Sequence, residues 1–260
     1  MATKEEKKVP ATQQSNLPAT INMEEDSAIG RGNMSAQDLA VPYLAVLQSL
    51  SPQVKKGPSK IEGAEEGDIF NTMSEEIWGG EEGVTVIPCA FNRLYVEWAP
   101  RESGGGFQGS HTDEAILHKC SRNERGQDVL PNGNIIVLTN YHYCLVIDEE
   151  ENILDRVVIP FSSTQLKKSR RWNSLISSIM VNGSNGQFNP PMFSHKYSMK
   201  TEHESNSKGE WYGWKIACAG MLTNAGTYNA AKQFAIDVSK GLVKVSPQEN
   251  HEFEGDDPTY

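Results

Sequence analysis

The sequence predicts a β-rich α+β fold made mainly of antiparallel strands, with one helix inserted between strands and a second near the C-terminus. Residues 84–98 and 135–147 are rich in β-branched and aromatic residues, which is typical of strands. Residues 162–182 repeat apolar side chains at a spacing of three and four, which indicates an amphipathic helix. Residues 224–241 have a second amphipathic pattern between an asparagine and a glycine.

Length and composition indicate one domain between two tails. The chain has 260 residues, of which 37% are hydrophobic, and this is enough apolar material for one sizeable core. We expect a disordered N-terminal tail over residues 1–33, because it is polar and lacks apolar periodicity. The folded body then covers residues 34–247. An acidic tail over residues 248–260 contains five acidic residues and no basic one.

The cysteine pattern and the N-terminus predict the compartment. The four cysteines are scattered without a CxxC pair, and the N-terminus is polar. We therefore expect reduced thiols and a cytoplasmic protein. Because no apolar run is long enough to cross a bilayer, we expect no membrane partner.

The first predicted element of the body is a helix over residues 39–51. Pro42 suits a first helical turn. The apolar side chains that line one face of this helix are Leu39, Tyr43, Val46, Leu47 and Leu50. Residues 53–67 then indicate a loop, because they combine Gly, Pro, Lys and Glu without periodicity.

A meander of strands follows over residues 68–98, broken by Ser-Glu-Glu and Gly-Gly turns. Its last strand, residues 84–98, places Arg93 and Tyr95 on the face opposite several apolar side chains. If that apolar face is buried, Arg93 and Tyr95 are exposed together and can contact a phosphate and stack on a base. Ordinary packing of Tyr95 is the alternative.

The connection over residues 99–134 raises two kinds of site. Its glycine run, Gly104 to Gly106, lacks the Gly-Lys-Ser/Thr ending of a phosphate-binding loop, so we predict no nucleotide site. Three nearby side chains could form a zinc site if His142 or Cys144 supplied a fourth ligand. Their spacing, however, is not that of a zinc finger. These three are His111, His118 and Cys120. We predict no metal and no cofactor.

Residues 135–147 and 153–161 predict a hairpin, because two β-like segments flank the turn sequence DEEEN. Tyr141 and Tyr143 share a face with apolar residues of the first strand. They are candidates for stacking on DNA bases, and packing in the core is the alternative.

Residues 156–201, called the basic segment below, carry the main functional signal. They contain seven basic residues and no Asp or Glu, in a protein whose formal charge is −10. Lys and Arg interleaved with aromatic residues are what a surface needs to bind a phosphate backbone and stack on bases. A face that serves only solubility normally mixes charges of both signs.

The helix within the basic segment is predicted to begin at Ser162 or Ser163 and to end near Asn182. Its solvent side carries four cations, which we expect to bind phosphates; a simply solvated face is the alternative. These cations are Lys167, Lys168, Arg170 and Arg171. Trp172 is expected to anchor the helix in the core.

A strand after this helix and a strand beginning at Trp211 predict a second hairpin. Alternation leaves Trp211 and Lys215 exposed, although the opposite parity is open. The DNA-binding candidates in this region are Phe193, Lys196, Tyr197, Trp211 and Lys215. Asn224 and Gly241 then delimit the C-terminal helix.

The acidic tail ends in an aromatic residue, and in this it resembles the tails of bacterial and bacteriophage single-stranded DNA-binding proteins. The residues that carry the resemblance are Phe253, Asp256, Asp257, Pro258 and Tyr260. Residues 41–72 and 83–109 are also similar to proteins encoded in phage replication regions. The phage proteins are the closer comparison, because this chain lacks the long Gly/Gln-rich linker of the bacterial ones.

The resemblance implies an OB-like antiparallel β-barrel with an inserted helix and a C-terminal helix, located in the host cytoplasm. It also implies that the tail recruits replication and recombination proteins through Phe253, Asp256, Asp257 and Tyr260. When no DNA is present, the negative tail could occupy the protein's own basic groove. The oligomeric state stays open, and a homodimer is compatible with the sequence.

The leading hypothesis is therefore a non-enzymatic protein that binds single-stranded DNA without strong sequence preference in phage replication and recombination. If four to six cations contact phosphates, the logarithm of the affinity should fall against that of the salt concentration with a slope of roughly −3 to −4. One alternative is a regulatory or structural interaction protein that acts on host machinery. The other is a metal-dependent nuclease, for which no HExxH, GxSxG or paired-carboxylate motif is found.

Overall fold

The computed structural model describes residues 25–26, 29–30, 41–100, 103–207, 209–243 and 245. The predicted tail over residues 1–33 lies outside this part of the chain except for four residues. The acidic tail over residues 248–260, with its partner-binding candidates, lies entirely outside it.

Two long neighbouring strands form the centre of the sheet. Strands β4 (Val84–Trp98) and β8 (Ile135–Ile147) pair antiparallel along nearly their whole length. Strand β9 (Ile153–Ser162) pairs with β8, which confirms the first predicted hairpin. Strands β12 (His195–Asn206) and β13 (Gly209–Met221) form the second predicted hairpin, and β12 also pairs with the start of β4. Together they form a curled antiparallel half-barrel.

The far ends of β4 and β8 carry three short strands from the long connection. Strand β5 (Phe107–His111) pairs with the end of β4. Strand β7 (Asp128–Val129) pairs with the start of β8, and β6 (Ser121–Arg122) pairs with β7. The same connection contains a short 3-10 helix at Glu114–Lys119.

The prediction of a helix over residues 39–51 is wrong for residues 41–51, the part of this range that the structure describes. The chain is extended there and contains strand β1 (Leu44–Val46), which pairs with β2 (Ile69–Asn71), and β2 pairs with β3 (Ile77–Trp78). Leu44 is fully buried between these strands and the main sheet. Pairing and burial with residues distant in sequence have therefore overridden the helical spacing.

The β1–β3 sheet connects two edges of the half-barrel. On one side the Pro42 carbonyl accepts a hydrogen bond from the Val158 N–H of β9 at 2.8 Å. On the other, the Gln48 side chain accepts from the Tyr212 N–H of β13 and donates to the Tyr212 carbonyl, each at 2.9 Å. The small sheet thus lies between β9 and β13.

Two α-helices cover the sheet, as the sequence predicts. Helix α1 (Leu166–Ser178) follows a short 3-10 turn after β9, and α2 (Ala225–Ser239) follows β13. The Asn224 side chain accepts hydrogen bonds from the first turn of α2. A two-stranded hairpin, β10 (Val181–Gly183) and β11 (Gly186–Phe188), extends from the end of α1. None of the helices in the described residues is long and apolar enough to span a membrane.

Both faces of the central sheet are buried. On one face, Tyr141, Tyr143 and other side chains of β4 and β8 pack against α2 through Phe234. On the other face, Cys144 and Val146 lie in a cluster that α1 and β1–β3 complete. Each covered face contributes hydrophobic stabilisation of about 25 cal/mol per Å² of apolar surface removed from water. The β-rich α+β class predicted from the sequence is confirmed, and the middle of the sheet is covered on both faces.

Candidate nucleic-acid interface

Helix α1 presents cations to solvent because its period places them opposite its buried face. Ser169, Trp172 and Ile176 are buried beneath the helix. The exposed cations on the other side are Lys167, Arg170 and Arg171. The fully buried Trp172 anchors α1, as predicted.

Lys168 differs from the other three cations of α1 because it is bound by two carboxylates. Its ammonium nitrogen lies 2.6 Å from Glu202 and 2.7 Å from Glu204, both on β12. Burial acts to lower the pKa of Lys168, but the two carboxylates outweigh it and the net shift is upward. Lys168, which the sequence predicts to bind phosphate from the solvent side of α1, is thus held in an ion-pair network in this structure. Glu202 and Glu204 lie just beyond the acid-free basic segment and reach Lys168 because α1 packs against the β12–β13 hairpin.

A basic surface nevertheless remains across α1 and the β12–β13 hairpin. We define it by five exposed side chains: Lys167, Arg170, Arg171, Lys200 and Lys215. Lys200 and Lys215 lie directly opposite each other on β12 and β13. A hydrogen bond from Lys168 lowers the pKa of Glu202, and the charges of Lys215 and Arg171 lower it further. The two strands and α1 thus contribute cations to one neighbourhood.

The basic segment is divided between the two sides of the sheet. Arg156 lies on the α2 side, with its guanidinium carbon 5.6 Å from the centre of the Phe234 ring. Lys196 forms an ion pair with the buried Glu151 at 2.7 Å. Lys196, which the sequence predicts to bind phosphate, is thus held in an ion pair, and the cations of the segment do not share one groove.

Four predicted base-stacking residues are buried instead: Tyr95, Tyr141, Tyr143 and Tyr197. Tyr95 packs with Leu130 and Ile136 under the far end of the sheet, which leaves Arg93 exposed without the stacking partner expected beside it. The Tyr197 ring is completely buried against Trp172, with ring centres 5.6 Å apart. Period-two alternation defines two faces of a strand, and in this fold both are covered.

The two remaining aromatic candidates are only partly accessible. Phe193 packs edge-on against Tyr228 of α2, with ring centres 5.2 Å apart, so it helps to hold that helix. Trp211 is half-buried opposite Glu204, and its indole Nε1 is inaccessible to solvent. Lys215 is exposed as predicted.

Phe188 is the aromatic residue that the candidate set missed. Its side chain is 49% exposed at the end of β11. The available signal was its place in a short Gly/Asn-rich loop, where few neighbours can bury a ring. Lys200 is an exposed cation of the basic surface that was likewise not among the predicted DNA-binding residues.

The three zinc candidates are not brought together. His111 bonds to Glu97 at 2.9 Å, and Cys120 donates to a backbone carbonyl in the 3-10 helix. Across the described residues no group of three or more His, Cys, Asp or Glu side chains is arranged to hold a metal ion.

A buried polar cluster lies beneath α1. Ser169 Oγ is 2.8 Å from His142 Nε2 and 3.0 Å from Asn140 Nδ2. The His142 ring stacks on Trp172 at 4.5 Å, and burial lowers its pKa to about 3. His142 and Ser169 are both inaccessible to solvent, so this serine–histidine pair holds α1 on the sheet and is not open to a substrate.

Comparison with known families concerns nearly the whole chain. A family model described as Pam3 phage gp34-like protein matches residues 9–244. The chain belongs to the Pam3 phage gp34-like family. Comparison with curated proteins and with solved structures found no match.

Membership of this family indicates a phage protein. The matched range contains the central sheet, both α-helices and the basic surface. The acidic tail over residues 248–260 follows the matched range.

Proposed function

We propose that this phage protein binds single-stranded DNA without strong sequence preference during phage DNA replication and recombination. The observation that carries the proposal is the basic surface on α1 and the β12–β13 hairpin. Its cations are exposed although the protein as a whole has a charge of −10. A local field of this sign attracts a polyanion even when the net charge of the protein is negative.

Most of the basic surface is available for phosphates. Among the described residues, no carboxylate lies within 4.0 Å of the charged nitrogens of Arg170, Arg171, Lys200 or Lys215. Lys167 has one long pair, 3.7 Å to Glu204, which competes weakly with a phosphate. If four or five of these cations each contact a phosphate, counterion release gives a salt slope of roughly −3.

The finer fold assignment, an OB-like barrel, is part of this proposal. It is supported by a curled antiparallel sheet with the β1–β3 sheet lying between β9 and β13. Because α2 covers Tyr141 and Tyr143, the DNA would lie on α1 and the β12–β13 hairpin rather than on the sheet face. This arrangement favours backbone contacts over base contacts and hence sequence-tolerant binding.

The acidic tail supplies the second half of the proposed function. Its five negative charges would compete with DNA for the basic surface, and bound DNA would free Phe253 and Tyr260 for replication and recombination proteins. Deleting residues 249–260 should abolish partner binding and leave strand binding unchanged or tighter. Weaker strand binding after the deletion would contradict this role of the tail.

The direct test is titration of the full chain with an oligothymidine labelled by a fluorophore, followed by anisotropy at several salt concentrations. We expect saturable binding with a slope of roughly −3. Oligomers of different sequence should bind within a few-fold of each other, and duplex DNA should bind more weakly. Absence of binding at low salt would refute the proposal.

A further inference from the structure

The β10–β11 hairpin is an exposed projection whose place in the fold is tied to α1. The Asn189 side-chain amide donates to the carbonyls of Ile179 at 2.8 Å and of Ile176 and Ser177 at 3.2 Å. These carbonyls belong to the C-terminal end of α1, where backbone acceptors lack helical partners. Phe188, the residue before Asn189, is therefore held at the end of the helix whose first half carries the basic surface.

The Phe188 ring packs on one side and is open to solvent. A Cβ atom placed on Gly183 would lie 2.9 Å from Cε1 of Phe188, so the ring packs over the backbone where β10 has no side chain. The ring is nevertheless 49% exposed, and Met180 beside the hairpin is 52% exposed. An aromatic ring that is supported on one side and exposed on the other can stack on a base.

The turns of α1 between the basic surface and Phe188 carry no acidic side chain of their own. The exposed positions of α1 after Arg171 are small and uncharged, as at Ser174 and Ser177, and the basic segment has no Asp or Glu. From Arg171 to Ser178 the helix rises about 10 Å, which a stacked strand covers in about three nucleotides. One strand can therefore contact the cations of α1 and reach the hairpin.

We infer that the β10–β11 hairpin is a base-stacking element, in which Phe188 stacks on an unpaired base of a strand that runs along α1. The inference rests on the proposed function and adds to it the path of the strand along α1 and the base contact at Phe188. Phosphates bind at the cations of α1 and the β12–β13 hairpin, and a base a few nucleotides away binds at Phe188. An unpaired base can stack in this way and a base inside a duplex cannot, so the contact selects single strands.

The test uses the full chain and two probes of equal length, an oligothymidine and a strand of abasic sites. Phe188→Ala should weaken binding of oligothymidine by roughly 5- to 150-fold and leave binding of the abasic strand within about twofold of wild type. Phe188→Leu should lose most of the same affinity, because it keeps an apolar side chain without a ring face. Phe188→Tyr should bind oligothymidine as wild type does.

The matched control is Met73→Ala, because Met73 is also exposed, at 55%, but lies in the β2–β3 turn. It should not change binding of either probe. Equal weakening of both probes by Phe188→Ala, or no weakening of either, overturns the stacking role while the proposed function stands. If wild-type protein binds neither probe, the proposed function itself fails, and the two failures are thus distinguishable.

Discussion

The ammonium nitrogen of Lys196 lies 2.7 Å from Oε1 of Glu151, although the two residues are 45 positions apart in the chain. The other carboxylate oxygen accepts hydrogen bonds from the backbone N–H groups of Thr223 at 2.8 Å and Asn224 at 2.6 Å. Glu151 thus joins the β8–β9 turn to β12 and to the start of α2. Its side chain is only 5% exposed, so loss of these partners leaves buried polar groups unsatisfied.

Glu151→Gln should lower the free energy of unfolding by about 1–3 kcal/mol, because it leaves the Lys196 charge without its partner. The loss stays moderate because the Lys196 side chain is 25% exposed and water can still solvate its charge. Urea denaturation at pH 7 measures the change. Lys196→Met tests the same pair from the other side and should leave DNA affinity within about twofold of wild type. A large loss of affinity in Lys196→Met would show that Lys196 binds phosphate after all.

The same carboxylate predicts a dependence of stability on acid. Burial raises the pKa of Glu151, but the hydrogen bonds from Lys196, Asn224 and Thr223 outweigh it and lower the pKa from 4.5 to about 2. Its contribution is therefore fully present above pH 4.5 and is lost as the pH falls towards 2. The difference in unfolding free energy between wild type and Glu151→Gln should shrink over this range, and a constant difference would contradict the assignment.

Replacing Arg170 and Arg171 together by Ala should weaken binding of oligothymidine and reduce the magnitude of the salt slope by about 1.4, because two phosphate contacts are lost. Both side chains are exposed, so the unfolding free energy should stay within about 0.5 kcal/mol of wild type. Anisotropy titrations across salt concentrations measure the slope. The matched control replaces Lys55 and Lys56, an exposed cation pair after β1, and should leave the slope unchanged.

Glu202→Gln should tighten binding of oligothymidine by about two- to fivefold. Glu202 lies among Lys168, Arg171 and Lys215, and its removal releases part of the positive field that it now neutralises. Titration at low salt shows the gain most clearly, since exposed charges are screened at high salt. Affinity equal to wild type at low salt would indicate that the strand does not pass this point.

Tyr143→Leu separates a core tyrosine from a stacking one. The ring is buried under α2 against Phe234, with ring centres 6.4 Å apart, so we expect the variant to lose about 1–3 kcal/mol of stability. Its affinity for oligothymidine, measured below the unfolding temperature, should equal that of wild type. Loss of affinity without loss of stability would instead place Tyr143 at the interface.

The buried His142 predicts a second loss of folding stability in acid. Burial lowers its pKa from 6.5 to about 3, so the unfolded chain takes up a proton that the folded chain does not. This part of the stability is present above pH 6.5 and is lost as the pH falls from 6.5 towards 3. The stability of His142→Gln should depend less on pH between 6.5 and 4.5 than that of wild type, a range in which Glu151 contributes no change.

Much of the fold could be predicted because its signals are local. Strand β4 was predicted with its observed bounds, and α2 is capped by Asn224 and followed by the left-handed Gly241 as expected. The failure at Leu44 has the opposite origin. The helical spacing there is a local signal, and the observed strand depends on β2 and β9, which are distant in sequence.

The candidate site was predicted less completely, and for a related reason. The exposure of Arg170, Arg171 and Lys215 follows from the period of one helix and one strand. The exposed ring of Phe188 depends instead on a hairpin that few other elements contact, and the Gly/Asn-rich sequence around it is only an indirect signal of that.

The sequence by itself determined the strands and helices, and it determined that residues 156–201 carry cations without acids. Only the tertiary structure decided which of those cations are free and which rings are accessible. Glu151, Glu202 and Glu204 neutralise Lys196 and Lys168 across the fold, because charges interact through space rather than along the chain. The tyrosines of β8 are buried because helices cover both faces of the sheet, and strand periodicity specifies two faces without specifying which one meets water.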